Sequence, residues 1–294
     1  MRRSNPNIQT GLYTLTRKAH PTSLQDMADS RVVTFTTDFG LQDPFVGIMH
    51  GVVLRIQADA RIVDICHQVS SFDVLDGGWM IAQSYRYFPA GSVHVVVVDP
   101  GVGGARRPIL VETEAHIFVA PDNGVLSLVE KREPRFTVRH IVNDRFFLQP
   151  VSQTFHGRDI FAPVGAWLLK GVAPSEFGPE ITDYVRLEIP EVEHISANSL
   201  RGVVLKADKF GNLISNISEE HLATLFDGAQ PKFELLISGI TITRISRSYA
   251  EGGDDEVFAI IGSSGYLEIA AKQASAAEKL QAWVGTPVGI VIQS

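Results

Sequence analysis

The chain has one cysteine in 294 residues, Cys66, so it forms no internal disulfide and has no Cys-based zinc cage. A reducing, cytoplasmic compartment is the expectation from that count. No run reaches about 18 consecutive apolar residues, which argues against a membrane-spanning helix. Positive charge is in deficit: 26 Lys and Arg stand against 33 Asp and Glu, a net charge of −7. A net-acidic chain fits neither a nucleic-acid partner nor an anionic membrane. Internal repeats and low-complexity tracts are missing too. A Gly-Lys-Ser/Thr phosphate loop is absent, and the GxGxxG order does not occur.

What is present is enough apolar surface for real cores. Apolar residues make up 45% and charged residues 20% of the sequence, which excludes a disordered or collagen-like chain. The length suggests two domains. Residues 1–30 are read as a flexible extension or an upstream start. They hold Arg2, Arg3, Arg17 and Lys18 and two prolines, with no clear amphipathic period.

From Val32 the pattern becomes regular. Residues 32–37 (VVTFTT) and 61–66 (RIVDIC) read as strands, and 92–98 (SVHVVVV) as a strand covered on both faces. Between them, 45–57 has helical periodicity, and Asp73 is placed to cap a helix running to about Tyr87. Alternating strands and helices predict an α/β domain over 31–190 with a largely parallel sheet. Ligands in such sheets bind beyond the carboxyl ends of the strands, where Asp38 and Asp99 lie. Residues 171–200, with Pro174, Pro179 and Pro190, read as a connection. From 201 the chain shows short strands and turns (201–207, 232–247, 256–261, 265–270, 286–292), which predicts a small all-β, barrel-like domain over 191–294.

Three segments concentrate reactive residues. In 98–107 (VDPGVGGARR) an acid leaves a buried strand into a glycine-rich loop followed by two arginines. Such a loop lets backbone and side chains crowd a ligand, and Asp99 can pair with Arg106 or Arg107. In 154–163 (TFHGRDIFAP) His156 precedes a helical stretch at 164–170 and is a candidate for proton handling. In 36–45 (TTDFGLQDPF) Asp38 is a candidate hydroxyl ligand. It also imitates a kinase magnesium motif, without that motif's companions. Segments 207–216 and 261–266 combine acids, amides and small hydroxyls that turns alone would also explain. Cys66 and His67 are adjacent on a strand and face opposite ways, so they are not read as a catalytic pair. Phe72, Phe155, Phe210 and Tyr249 read as core aromatics or as a cage for a flat or cationic ligand. No cluster of metal ligands is evident, and no metal is expected. A metal-dependent phosphoryl-transfer reading has little to support it.

The ordered segments TFTTDFGLQDPFVG, SFDVLDGG, VDPGVGGARR, APDNG, TFHGRDIFAP, ADKFGN and GSSGYLEIA resemble, in that order, the S-adenosyl-L-methionine (SAM) hydroxide adenosyltransferases, relatives of the fluorinases and chlorinases. The resemblance spans about 32–275. It implies SAM hydrolysis to adenosine and L-methionine, with no cofactor. It also implies a homotrimer whose sites lie between the α/β domain of one subunit and the β domain of its neighbour. Its catalytic triad falls on Asp99, Arg106 and His156, with His156 the expected proton acceptor and Asp99 its rival. Asp38 matches the ribose acid, Phe72 the aromatic wall where halogenases have tryptophan, and Asp208 the acid on the methionine ammonium. Phe210 and Asn212 match the adenine end, Tyr249 an aromatic near the adenine or the methionine, and Ser263 a neighbour of the methionine carboxylate. The arginine after that serine in fluorinase is Ser264 here. Halogenases carry tyrosine at Asp99 and tyrosine-serine at His156-Gly157, and fluorinase has a long loop where 106–124 is short. Both departures imply water, not halide, as nucleophile. Chloride-using and non-catalytic SAM- or adenosine-binding alternatives are the competing readings.

Overall fold

A computed structural model describes residues 32–227, 231–253 and 256–293. The extension assigned to 1–30 lies outside the described residues. The chain divides into two compact units, one ending at Leu187 and the other beginning at Glu188.

The first unit is built on a seven-stranded sheet. Its strands are β1 (Val32–Thr37), β2 (Arg61–Cys66), β3 (Val93–Val97), β4 (Pro108–Glu112), β5 (Ile117–Pro121), β6 (Thr137–His140) and β7 (Glu180–Ile181). Their spatial order is β2-β1-β3-β5-β4-β6-β7. β1 pairs in parallel with β2 and β3, and β3 with β5. The remaining pairings, β5–β4, β4–β6 and β6–β7, are antiparallel. The parallel half is the one the sequence pattern anticipates. β4 to β7 are short and carry no long apolar run, so the pattern leaves them unassigned.

Helices cover both faces of the parallel half. α1 (Phe45–Ile56) and α4 (Ala162–Leu169) pack on each other, and α4 packs on β1 and β3. α2 (Val74–Ser84) packs on β1, β2 and β3, and also contacts α3 (Ser127–Glu130). Asp73 caps α2 as expected, accepting from Asp76 N–H at 3.0 Å. The sheet residues Val33, Phe35, Val93, Val95 and Val97 and the helix residues Met49, Val53, Phe161, Val164 and Ala166 form one core. Gly165 permits the approach of α4, since a Cβ there would lie 2.9 Å from Val95 Cγ2.

The second unit holds a nine-stranded sheet. Its strands are β8 (Glu193–Ser196), β9 (Ser199–Ala207), β10 (Leu213–Ser218), β11 (Phe233–Ile237), β12 (Ile240–Ile242), β13 (Ile245–Ser246), β14 (Val257–Ile261), β15 (Tyr266–Ala271) and β16 (Pro287–Ile292). The path runs β12-β11-β16-β9-β10-β15-β14-β13, with β8 beside β9. The sheet curls so that strands from both ends, among them β12 (Ile242) and β14 (Ala259), share one core with Leu200, Leu213, Leu235 and Ile290. Two short helices depart from the all-β expectation: α5 (Glu219–Phe226) and α6 (Ala276–Leu280). Ser218 and His221 cap α5 reciprocally, a side-chain pattern that propensity for turns had masked. The stretch 232–247, read as one strand region, is broken into β11, β12 and β13.

A buried polar cluster sits inside the first unit. His94 and His116 approach Nε2 to Nδ1 at 3.3 Å, and His94 Nδ1 lies 2.8 Å from Thr34 Oγ1. Burial, with His116 beside it, holds His94 well below the ordinary imidazole range, and burial holds His116 at about 4. The unfolded chain takes up these protons near 6.5, so it binds more protons than the folded chain at mildly acid pH. The stabilisation is complete above 6.5 and is lost as the pH falls toward 4. Urea unfolding at about pH 5 should show a stability lower than at pH 7, by on the order of 2 kcal/mol from His116 alone. His116→Gln should flatten that dependence; an unchanged slope would contradict the assignment.

Candidate active site

β1 sits between β2 and β3; the chain leaves β1 toward β2 and leaves β3 toward β4 on the other side, so the two connections diverge. Thr37 is in register with Val97, which places Asp38 and Asp99 just past the carboxyl ends of adjacent parallel strands.

The loop after β3 is a tight coil. Val102 N–H donates to Asp99 O, and Gly104 N–H to Gly101 O. Gly103 has φ +74°, and a Cβ there would fall 2.2 Å from the backbone oxygen of Gln153. The loop is thus pressed against the segment that carries His156. Arg106 turns back from its end: Nε donates to Asp99 Oδ1 at 3.0 Å and Oδ2 at 2.9 Å, and Nη2 also donates to Oδ2. Both side chains are buried, with 10% and 4% exposure. Nη2 lies 2.6 Å from His156 Nδ1. The guanidinium stands over the Phe161 ring, 5.3 Å from its centroid. Of the two arginines left open by spacing, Arg106 is the one paired with Asp99; Arg107 binds Asp122 and Asp183 instead.

Arginine only donates, so Nδ1 of His156 accepts, and the proton of the neutral ring is on Nε2. Burial lowers the His156 pKa, the Arg106 charge lowers it further, and Asp99 opposes both. The ring is therefore neutral at pH 7, with its lone pair committed to Arg106. Its expected part as proton acceptor meets that obstacle. Asp99 Oδ1 accepts a single N–H from Arg106 and retains lone-pair capacity.

His156 precedes a π-helical turn, Gly157–Phe161, that leads into α4. Asp159 on that turn, fully buried, is a residue the sequence reading left unused. It accepts from Ser152 N–H at 2.8 Å and pairs with Arg158, fixing the strand of chain before His156. Burial alone would raise its pKa, but Arg158 and Ser152 outweigh burial and hold it below the ordinary carboxylate range. Phe155 packs edge-on against Phe39 and Phe45, so it is a core aromatic and not a cage.

Asp38 and Phe72 are brought together as well. Phe72 N–H donates to Asp38 Oδ2 at 2.9 Å. Phe72 holds φ +66°, a backbone setting costly for an aromatic residue, and the residue is 73% exposed.

In the second unit, Asp208, Phe210, Asn212 and Tyr249 line one cavity of about 830 Å³, with Lys272 and Ser275 on its wall. Asp208 Oδ1 accepts from the N–H groups of Phe210 and Asn212, and Oδ2 from Asn212 Nδ2. Ser263 is not among the lining residues; it sits exposed on the turn between β14 and β15. Glu268, overlooked in the sequence, is buried and accepts from Tyr249 O–H at 2.9 Å. Burial raises its pKa, and burial, then Glu268, push that of Tyr249 up to about 12. An acid inside the apolar run of β15 was the available signal.

Gly103→Ala should cost about 1–3 kcal/mol in denaturant unfolding, from the φ strain and the Gln153 clash together. Gly40→Ala, with φ +68° and nothing within 4 Å of its Cβ, should cost less. Equal costs would mean that the Gly103 contact does not hold the loop.

Residues 33–178 match the SAM hydroxide adenosyltransferase N-terminal domain, and 202–289 the C-terminal domain. A protein of Salinispora tropica named (R)-S-adenosyl-L-methionine hydrolase is 41% identical over 192 residues, 64% of this chain and 72% of that one. One of the same name from Methanocaldococcus jannaschii is 33% identical over 246 residues, 81% and 87% of the two chains. The crystal structure of an uncharacterized conserved protein from Thermotoga maritima superposes with a TM-score of 0.82 at 32% identity, covering 88% of this chain and 99% of that one. No helix among the described residues is long and apolar enough to cross a membrane. The two domain matches and these relatives place the chain in the SAM hydroxide adenosyltransferase family.

Proposed function

We propose that the chain hydrolyses SAM to adenosine and L-methionine by attack of a water on ribose C5′, with Asp99, Arg106 and His156 as the water-activating group. The observation that carries this reading is the buried guanidinium of Arg106 joined to Asp99 on one side and His156 on the other. The relatives' names supply the substrate.

The chemistry fits the groups available. The C5′–O bond forms as the C5′–S bond breaks, and the bonding pair leaves on sulfur as a neutral thioether. The leaving group takes no proton, so the enzyme's task is confined to the water. Arg106 Nε and Nη2 are used on Asp99 and His156, which leaves the two N–H bonds of Nη1 to hold the water oxygen. The proton lost by the water passes to Asp99 Oδ1. His156 keeps Arg106 oriented through Nδ1. Asp99 also offsets the repulsion between the guanidinium and the sulfonium. Positioning of this kind can contribute on the order of 7–11 kcal/mol at best, and proton transfer to a poised base typically 10²–10⁴-fold.

Asp38 is the ribose ligand and Phe72 its aromatic wall. Asp208 holds the methionine ammonium, with Phe210 and Asn212 around adenine and Tyr249 beside adenine or methionine; Ser263, on the turn outside this cavity, is assigned to the carboxylate by the resemblance alone. The curled sheet of the second unit is barrel-like in this reading. The splitting of these groups between two units supports a homotrimer with sites between subunits. SAM is the substrate and the reaction needs no cofactor; no nucleic acid or membrane takes part, and the compartment is cytoplasmic. The acid and imidazole at Asp99 and His156 favour water over chloride, because an anionic carboxylate repels a halide nucleophile. A non-catalytic SAM binder would have no use for the buried triad.

Incubation with SAM in ¹⁸O-water should place the heavy oxygen on the 5′-hydroxyl of adenosine. Arg106→Ala and Asp99→Asn should slow turnover by roughly 10²–10⁴-fold while SAM still binds; full rates would remove the triad from the mechanism. Chlorinated adenosine in chloride buffer would favour the halogenase reading. Turnover should fall in acid as His156 gains a proton and repels Arg106, with a midpoint below 6.5. His156→Asn, which preserves an acceptor, should lose that limb.

A further inference from the structure

Outside the triad and the cavity of the second unit, the described residues include a three-residue group with ligating chemistry. The sequence offers no hint of it, because its members come from a helix, an edge strand and a loop. His50 lies on α1, Asp64 on β2, and His67 just past β2. His50 Nε2 is 2.9 Å and His67 Nε2 3.0 Å from the same oxygen, Asp64 Oδ1. One ligand atom from each residue lies within 4.8 Å of the others.

Two features separate this group from an ordinary surface ion pair. His67 is 5% exposed, and its Nε2 makes no hydrogen bond even though Asp64 Oδ1 is near. A buried nitrogen left unsatisfied is costly, by about 1–3 kcal/mol. That nitrogen is aimed into the space between His50 and Asp64. Its other ring nitrogen is already held: Nδ1 lies 2.9 Å from Thr37 Oγ1. Thr37 Oγ1 also accepts from Phe39 N–H at 3.2 Å; in the tautomer where it accepts from His67 Nδ1–H as well, Nε2 offers its lone pair to the cluster, as metal binding requires. This is the outer-shell arrangement that orients a ligating imidazole.

We infer that His50, Asp64 and His67 form a binding site for a divalent transition-metal ion of the zinc class. Two imidazole nitrogens and one carboxylate oxygen match the donors such ions select, and calcium or magnesium would require oxygens instead. Metal–ligand bonds of about 2.0–2.2 Å place neighbouring donors roughly 3–3.5 Å apart, so half-exposed Asp64 has to withdraw slightly and the two imidazole nitrogens, which lie within 4.8 Å of each other, have to settle at that spacing. Solvent would complete the coordination.

The place of the site in the fold assigns its effect. His67 O accepts from Gly40 N–H at 2.7 Å, and Val69 N–H donates to Thr37 O. The loop that carries Asp38 is therefore tied to the residue that would bind the metal. An ion there clamps α1, the edge strand β2 and this loop together. It contributes no step to SAM cleavage, and the inference stands or falls independently of that activity.

The test uses the full chain stripped of metal and titrated with Co²⁺ alone, whose protein-bound form is read by its visible d–d absorption. One saturating equivalent per chain should bind, be displaced by Zn²⁺, and raise the melting temperature. Asp64→Asn and His50→Ala, both at partly exposed positions, should each weaken cobalt binding by more than the roughly 10–100-fold typical of outer-shell changes. His194→Ala, at an exposed histidine of the second unit, should leave it unchanged. No protein-bound cobalt spectrum, or equal binding in the Asp64 and His50 variants, would overturn the site. SAM turnover enters none of these readouts.

Discussion

A guanidinium removed from water needs compensation, and the arrangement of Arg106 shows how the first unit supplies it. Asp99 neutralises the charge through Nε and Nη2, His156 Nδ1 accepts a further N–H, and Phe161 lies under the plane. Losing one partner of such a buried pair typically costs 3–5 kcal/mol, because the remaining charge is stranded. The loop coil at 99–104, the close approach at Gly103, and the Asp159 anchor before His156 all serve to keep this one side chain where it is. In the proposed reaction the two N–H bonds of Nη1, with no partner among the described residues, hold the water.

The electrostatics of that arrangement redistribute roles within the triad. An imidazole beside a fixed cation is disfavoured as a cation itself, and the lowered pKa of His156 expresses this. Its lone pair points at Arg106 and not at a water. In the proposed reaction the carboxylate, with capacity left on Oδ1, takes the proton instead. The reaction suits this division, because a departing sulfonium asks for no acid and leaves a single proton to be removed.

Much of this was legible in the sequence, and the exceptions have physical causes. β1 and β3 are apolar and β-branched and β2 carries isoleucine and valine, so all three are found from composition to within a residue at each end; Asp73 announces its helix. β4 to β7 are short strands whose partners are set by tertiary pairing, so local pattern misses them. The small helices α5 and α6 depend on capping at Ser218 and Ser275 within a domain otherwise read as strands. Asp38, Asp99, Arg106 and His156 stand out because polar residues at strand ends and loop turns have few packing reasons to be there. Glu268 was hidden in an apolar strand, and Asp159 was absorbed into its own motif. The His50, Asp64 and His67 group was invisible, since helix, edge strand and loop meet only after folding.

The most direct test of the central claim is a high-resolution crystal structure of the Arg106-intact protein with SAM or with adenosine and methionine bound. A water should lie on the line extending the C5′–S bond, within hydrogen-bond distance of both Arg106 Nη1 and Asp99 Oδ1. Such a water held by neither group, or a ligand whose C5′ lies away from Arg106 altogether, would contradict the account.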